Sequence, residues 1–505
     1  MTPPPPPTLL LPCLLSLLLL SLSSASFSSS SPATVCIVGS GISGSSLAHF
    51  LRKYSPEPSL VGTIRMFEKN AVVGGRMATV TIANETFEAG ASVIHPLNYH
   101  LSNFTSLLEL RRRIGDDDDD ASIGIWNGEK FLFKTLNLNW DFPLVKFSLV
   151  KKIVSLVNAV KLFWRYGFSL LRMQRFVEAS LNNFLKYYES FGTRPVFGRV
   201  EDMLNWSGLY NLTRRSLKDE LVDAGLSSLL VQELVTVITR INYGQSTSMS
   251  GLAGAVSLAG SGGGLWSVEG GNWQIAAGLI SSSNVELHLN EEICSVSHYG
   301  TYYELNSTKR SSYQCHVTVF ATPLDELDIK YHPPISIPER KLQHTHTTFV
   351  RGLLNPAYFG MGTITEVPEL VGTVEDPNIP FSCVSVLKKH SKGDITYKLF
   401  SRKPLDDNLL DQMFSIRKET IRIDWAAYPH YEPPEIFAPF MLDDWHLYYI
   451  NTFESAASAM ETGAVSAENM ARLILSRVSA GVYSHISSKE SSGFGGCKED
   501  LHKDS

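Results

Sequence analysis

The chain has 505 residues, a net charge of −6, 44% apolar residues and 19% charged residues. That composition excludes a disordered chain, and without a basic stripe interleaved with aromatics it gives no ground for nucleic-acid binding. The length exceeds one dinucleotide-binding unit and suffices for two interwoven domains around a large core. At the N-terminus, Pro3–Pro7 precede a leucine-rich run, Leu9–Leu22, and Ser23 and Ala25 follow with the spacing of a cleavage site. Residues 1–25 read as a signal peptide, with an uncleaved anchor as the rival, and the serine-rich tract to Ser31 as a linker. No other stretch has eighteen unbroken apolar residues.

The next element is an apolar strand, Val35–Val38, ending in Gly39, Gly41 and Gly44, with a helix-like segment, Ser45–Tyr54, behind it. A second apolar run, Ile64–Phe67, ends in Glu68. Gly39 permits the tight strand-to-helix turn, and Gly41 lets backbone amides approach a pyrophosphate at the helix N-terminus. Gly44 lets helix and strand pack closely, and Glu68 can accept a hydrogen bond from a ribose hydroxyl. Ile42 and Ser43 inside the turn and Lys69 beside Glu68 belong to the same expected cofactor set. A carboxylate there repels a 2′-phosphate, so FAD or NAD is favoured over NADP. Gly75 and Arg76 then add a flexible approach and a guanidinium suited to pyrophosphate. Small residues at Gly90, Ala91 and Ser92 allow backbone to lie against a flat ring. This order of elements resembles flavin-dependent amine oxidases, which favours FAD and assigns residues 33–100 to a first FAD-binding segment.

Residues 101–242 read as the mostly helical first part of a substrate domain. Asn103–Arg113 is predicted as a helix, Asp116–Asp120 as a solvated loop, and Ile123–Phe133 as a hairpin. Lys146–Leu171 is long, apolar and weakly basic; it suits a core helix, a wall for a lipid-like substrate, or a membrane-surface helix. Residues 174–190 and 215–240 suit further amphipathic helices. Asn84, Asn103, Asn205, Asn211 and Asn306 head N-x-S/T triplets, which secretory entry would make candidate glycan sites. Cys36 sits in the first strand, and Cys294, Cys315, Cys383 and Cys497 have no regular spacing, so one disulfide is compatible and a zinc site is not supported. The pair His344 and His346 reads as structural.

Residues 243–330 read as a second FAD segment. In it Gly270 and Gly271 open a helix, Trp273–Ser281, and Val285–Val296 forms a strand, turn and strand. By likeness to amine-oxidase-type flavoproteins, Ile293 would meet the adenine. Val317–Pro323 is a buried-type strand broken by proline. Residues 331–440 form the second part of the substrate domain, residues 441–480 a third FAD segment, and residues 481–505 a polar, disordered tail. In the third segment Glu454, Glu461, Gly463, Ala464 and Val465 precede or open a small-residue helix whose dipole would favour a negatively charged reduced flavin. The fold class is therefore α/β, a Rossmann-like FAD domain interleaved with an α+β substrate domain.

Taken together, Phe87–Asn98, Trp164–Gly167, Tyr243–Gln245, Trp266–Asn272 and Glu454–Met460 resemble the prenylcysteine oxidase family over roughly Val35–Leu475. The resemblance implies oxidation of the thioether of farnesylcysteine or geranylgeranylcysteine, with O₂ and water, to cysteine, a prenyl aldehyde and hydrogen peroxide. It also implies a lysosome- or vacuole-like compartment with peripheral membrane association. No Cys or His stands in an obvious linkage motif, so non-covalent FAD is the default expectation. Sulfur and the allylic double bond both stabilise the developing cation, so no strong base is required. His95 is the one titratable candidate for water activation, with a structural histidine as its alternative. Glu269 and Asn272 would serve cofactor geometry, and the prenyl pocket would draw on residues 130–245 and 340–440. The rival readings are a flavin oxidase of an apolar amine, for which Tyr448 and Tyr449 could form an aromatic pair, and a flavoprotein that has lost turnover.

Overall fold

The computed structural model describes residues 32–491, except 56–59, 115–120, 137–147, 190–191 and 392. The expected signal peptide, the Asp116–Asp120 run, the start of the Lys146–Leu171 stretch and the end of the tail lie outside the described residues. Strand Ala33–Val38 is the centre of a five-stranded parallel sheet. Val317–Phe320 and then Leu447–Tyr449 lie on one side, Val61–Glu68 and then Val285–Leu289 on the other. Val35, Cys36 and Ile37 are fully buried, which is why this strand reads as an unbroken apolar run. Helix Ile42–Tyr54 buries Leu47, Phe50 and Leu51 in the core that also holds Ile275 and Leu279 of helix Trp273–Ser282 and Ala464, Ala467 and Ala471 of the C-terminal helix, Met460–Ser491. Three separate returns of the chain thus build one Rossmann-like unit.

A seven-stranded sheet forms the second unit, in the order Phe414–Pro429, Leu342–Leu354, Asp394–Ser401, Cys383–Ser391, Leu370–Thr373, Ile123–Trp126, Phe131–Lys134. Its pairs are antiparallel except Leu370–Thr373 with Ile123–Trp126. The predicted hairpin at Ile123–Phe133 forms its far edge. A four-stranded sheet, built on Ile293–His298, sits beside the parallel sheet. Val285–Leu289 and Ile293–His298 therefore form the expected strand, turn and strand, but they join different sheets.

Several elements differ from expectation. The helix expected at Asn103–Arg113 is Tyr99–Leu107, and Arg112–Ile114 is instead a strand paired with Trp266–Val268. The Arg112 guanidinium lies 4.4 Å over the Trp266 ring, a contact from a distant part of the chain that local periodicity cannot reveal. The apolar stretch breaks at Gly167, whose φ is 57°, into helices Ser148–Tyr166 and Ser169–Leu185, the second absorbing most of the 174–190 helix. Residues 215–240 divide among Leu217–Asp223, a π turn at Val231–Val235 and Thr236–Tyr243. Tyr243, Met249, Ala253 and Leu258 pack with Tyr166, Leu217 and Leu221, so much of 243–259 lies with the helical layer and not the parallel sheet. The C-terminal helix runs to Ser491, past the expected start of the tail, with no proline to end it.

Cys36 is disulfide-bonded to Cys315, with Cα atoms 5.8 Å apart and a sequence separation of 279 positions. The bond joins the central strand to the neighbouring sheet and is characteristic of an oxidising compartment. The described free cysteines are Cys294 and Cys383. Replacing both Cys36 and Cys315 by alanine should lower unfolding free energy by about 2–4 kcal/mol, read from denaturant melts with and without reductant. An unchanged oxidised melt would refute the bond.

Candidate active site

At the C-terminal end of strand Ala33–Val38 the chain turns through Gly39, whose φ is 110°. A Cβ on Gly39 would stand 2.6 Å from the Ala321 carbonyl oxygen, and one on Gly44 would stand 2.1 Å from the Gly39 carbonyl oxygen. Both positions are closed by backbone. Gly41 differs: its nearest neighbour would be the Gly74 oxygen at 3.8 Å, and it faces a cavity of ≈ 410 Å³. This is where ligands bind in open parallel sheets, outside the carboxyl ends of the strands.

The cavity is bounded by three walls. Gly39, Gly41, Ile42, Ser43, Glu68 and Lys69 form the first, with Ile293 beside them. Gly75, Arg76, Gly90, Ala91, Glu454 and Gly463 form the second. The third comes from the seven-stranded sheet and carries Leu342, Thr345, Thr347, Phe400, Trp425 and Tyr428. Thirteen of the eighteen cofactor positions expected from sequence therefore reach one space.

Glu68 is buried and already oriented. Its Oε2 accepts from the Ser40 amide (3.2 Å) and hydroxyl (2.6 Å), and its Oε1 from the Asn70 amide (2.9 Å) and side chain (2.8 Å). The two side-chain donors, Ser40 Oγ and Asn70 Nδ2, are the ones a ribose diol can displace without disturbing backbone.

Arg76 lines the cavity, as expected, and its guanidinium is engaged with protein groups. It pairs with Glu454 at 2.5 Å and donates to the Ala427 carbonyl at 2.5 Å. Glu454 is also 3.6 Å from Arg340, which is paired with Asp325 at 2.8 Å. Burial alone would raise the Glu454 carboxyl, but Arg76 and Arg340 more than offset it and hold it below the usual carboxylate range. This chain of alternating charges ties the first FAD segment to strands and turns contributed much later.

Five expected cofactor residues and the catalytic candidate do not line the cavity. Gly44 acts through packing, as described. Ser92 donates to the Gly90 carbonyl (2.8 Å) and accepts from Lys398 Nζ (3.0 Å), so it shapes the Gly90–Ala91 wall from behind. Glu461 accepts from the amides of His100 (2.7 Å) and Leu101 (3.0 Å) and from the Tyr188 hydroxyl (2.5 Å). It therefore caps helix Tyr99–Leu107 on the far side. Ala464 and Val465 are core residues on the buried side of the C-terminal helix. His95 accepts from the Leu97 amide at 3.1 Å and does not line the cavity, so it shapes a turn and is not placed for water activation. Asn272 also acts structurally, donating through its side chain to the Ala91 carbonyl (2.9 Å) and through its amide to Glu88 (2.6 Å).

Tyr448 and Tyr449 are buried in the parallel sheet and supply no aromatic pair to the cavity. Nor does any described residue of 130–245 line it: the helices there pack around Tyr243 and Tyr431, one layer behind Tyr428. His344 and His346 both approach Asp424, at 3.0 and 3.6 Å, as cross-strand partners.

Sequence reasoning missed Thr345, Thr347, Trp425 and Asn451. Their Oγ1, Oγ1, Nε1 and Oδ1 atoms are buried without a hydrogen-bond partner, and all four residues line the cavity. Buried polar atoms are rarely left unpaired, so this donor and acceptor set fits a polar group held in the cavity. Thr345 and Thr347 alternate in a strand, but no local signal says which face meets a cofactor. Lys398 was also missed. Its ammonium is buried, donates to the Glu88 carbonyl (2.8 Å) and Ser92 (3.0 Å), and burial brings its pKa down to about 8.

Comparison with known proteins settles the family. A sequence profile described as "Prenylcysteine lyase" matches residues 149–486, and one described as "NAD(P)-binding Rossmann-like domain" matches residues 37–109. "Farnesylcysteine lyase" of Arabidopsis thaliana is 61% identical over 477 residues, covering 94% of this chain and 93% of that protein. The chain belongs to the prenylcysteine lyase family. "Prenylcysteine oxidase 1" of Homo sapiens is 32% identical, covering 88% of this chain and 89% of that protein. Among solved structures, cyclohexylamine oxidase from Brevibacterium oxydans matches with a TM-score of 0.57 at 15% identity, over 88% of this chain and 98% of that one. A putrescine oxidase variant matches with a TM-score of 0.56 at 15% identity, over 88% and 99%. These two share the fold, an interleaved Rossmann-like unit and mixed-sheet unit, as the resemblance implied.

Glu88 offers a test of the wall. Burial pushes its carboxyl up from 4.5 to about 7. An acid raised in the folded state contributes stability at low pH that is lost as pH rises from its unfolded to its folded pKa. Glu88→Gln keeps the Asn272 contact, so its melting temperature should pull ahead of the parent's between about pH 4.5 and 7 and stay ahead above. Parallel melting curves across that window would contradict the assignment.

Proposed function

We propose that this family member binds FAD non-covalently in the cavity and oxidatively cleaves the thioether of prenylcysteine. The balanced reaction takes prenylcysteine, O₂ and water to cysteine, the prenyl aldehyde and hydrogen peroxide. The observation that carries this reading is one continuous cavity joining the Gly39–Ser43 turn to an apolar, aromatic wall of Leu342, Phe400, Trp425 and Tyr428. Bound FAD would supply a two-electron acceptor for the allylic carbon beside sulfur.

The chain's own groups bind and orient. The amides of the Gly39–Ser43 turn and the carboxylate of Glu68 suit a pyrophosphate and a ribose. Thr345, Thr347, Trp425 and Asn451 supply the unpaired donors and acceptors for the remaining polar edges. Arg76 and Arg340 keep Glu454 ionised under the wall, and Lys398 holds the Glu88–Ser92 backbone. The aromatic wall suits an isoprenoid and limits bulk water, which is what positioning catalysis needs here. Among the described residues, no cysteine or histidine lines the cavity, which supports non-covalent attachment.

The compartment we propose is lysosome- or vacuole-like, reached through the secretory pathway by an N-terminal signal. The disulfide supports an oxidising route. Asn84, exposed at the turn of the Thr79–Ile82 and Glu85–Glu88 hairpin, is the best-placed glycan site, and Asn103, Asn205 and Asn211 are exposed on helices. Asn306 is half-buried and bonded to Ser295 at 3.3 Å, which argues against it.

The purified protein should be yellow, and farnesylcysteine should bleach the flavin under anaerobic conditions and yield peroxide in air. Bound flavin without bleaching by any prenylcysteine would overturn the substrate. Gly41→Glu should fold, because a Cβ there meets open space, yet lose flavin absorbance by filling the phosphate approach. A folded, fully yellow variant would refute the site.

A further inference from the structure

The wall that the seven-stranded sheet gives the cavity carries a compact polar patch. Thr345 in strand Leu342–Leu354 stands directly opposite Trp425 in strand Phe414–Pro429, and Thr347, two residues on, shares its face. Directly opposite residues have Cβ atoms about 4.5–5.5 Å apart, so the three side chains lie within reach of one small group. Thr345 Oγ1, Thr347 Oγ1 and Trp425 Nε1 are buried with no hydrogen-bond partner among the described residues. Phe400, opposite Thr347 on the other neighbouring strand, gives the patch an apolar flank. Orphaned polar atoms are costly, and three in one patch point to a ligand group that pairs with them.

Hydrogen-bonding capacity and charge say what that group is. An indole N–H donates and cannot accept, so the atom facing Trp425 must be an acceptor. An ammonium does not fit there, whereas a carboxylate can accept from the indole and from both hydroxyls. Lys398 lies on the same sheet face, two residues from Phe400, with its Nζ 4.8 Å from the centre of that ring. Its donors go to the Glu88 carbonyl and the Ser92 hydroxyl, not to a carboxylate. Glu454, another carboxylate of the cavity, is already bound by Arg76 and Arg340. The local field thus favours an anion at the patch. The patch also belongs to the sheet wall, whereas the Gly39–Ser43 turn, Glu68 and Asn451, which suit the cofactor, belong to the Rossmann-like unit.

We infer that Thr345, Thr347 and Trp425 form the subsite for the carboxylate at the cysteinyl end of the substrate, and so select an amino-acid thioether over a bare prenyl thioether. The inference rests on the proposed prenylcysteine substrate and names the residues that read its polar end. With the carboxylate held at the patch and the isoprenoid against the flanking aromatic wall, the carbon beside sulfur is fixed between two anchors, which is the positioning this chemistry needs.

The test is anaerobic flavin reduction of the full-length protein by farnesylcysteine and by farnesylcysteamine, which has the same thioether and no carboxylate. The dependence of the reduction rate on concentration gives a dissociation constant and a limiting rate for each. The parent should bind farnesylcysteine tighter by about tenfold or more. Thr345→Val with Thr347→Val, and separately Trp425→Phe, should weaken farnesylcysteine about tenfold more than farnesylcysteamine, which removes the preference. Thr345→Ser with Thr347→Ser keeps the hydroxyls and should keep the preference. A parent without preference, or valine and phenylalanine variants that weaken both compounds alike, would overturn the subsite and leave the substrate standing. Variants that fold but lose flavin absorbance would assign the three groups to the cofactor and overturn the subsite as well. A parent whose flavin neither compound reduces would overturn substrate and subsite together.

Discussion

Everything in this protein hangs on the close approach of backbone to backbone around one turn. Gly39 touches the end of the Val317–Phe320 strand, Gly44 touches Gly39, and a Cβ on Gly463 would stand 2.8 Å from Ser43 Oγ. Segments from the start, middle and end of the chain meet there within a methyl group's width. Interiors at this density cannot absorb an added carbon without backbone shifts, so the turn fixes how the three segments sit. The cavity is the space left on the open side of that contact, at Gly41.

Electrostatics completes what packing begins. Isolated buried charges are costly, and Arg76, Glu454, Arg340 and Asp325 are tolerable only as an alternating series. The series links the wall under Gly75 to the two long-range units. It explains why an arginine that looks like a phosphate ligand in the sequence is engaged with protein. The arginine still borders the cavity, but its first partner is Glu454.

The dinucleotide motif was legible because its parts are contiguous: strand, glycines, helix and Glu68 lie within a few dozen residues. Ile293 was legible only through resemblance. The helix expected through Arg113 was misjudged because the strand partner of Arg112–Ile114 is Trp266–Val268, far along the chain. His95 looked functional by its position after Ala91, yet the backbone folds its ring toward the Leu97 amide. Glu461 looked flavin-facing by its place in a small-residue helix, yet it points to the opposite side and caps another helix.

What the sequence alone determined is the local chemistry: a parallel-sheet nucleotide turn, an acid for a ribose, and a basic apolar stretch without an acidic residue. These follow from period, glycine position and charge, each set by neighbours along the chain. Only the tertiary structure decided which side of each element faces the cavity, that Cys36 pairs with Cys315, and that Thr345, Thr347, Trp425 and Asn451 present unpaired polar atoms to one space. The physical reason is that strand pairing and burial join residues hundreds of positions apart, and no local pattern encodes which partner will arrive.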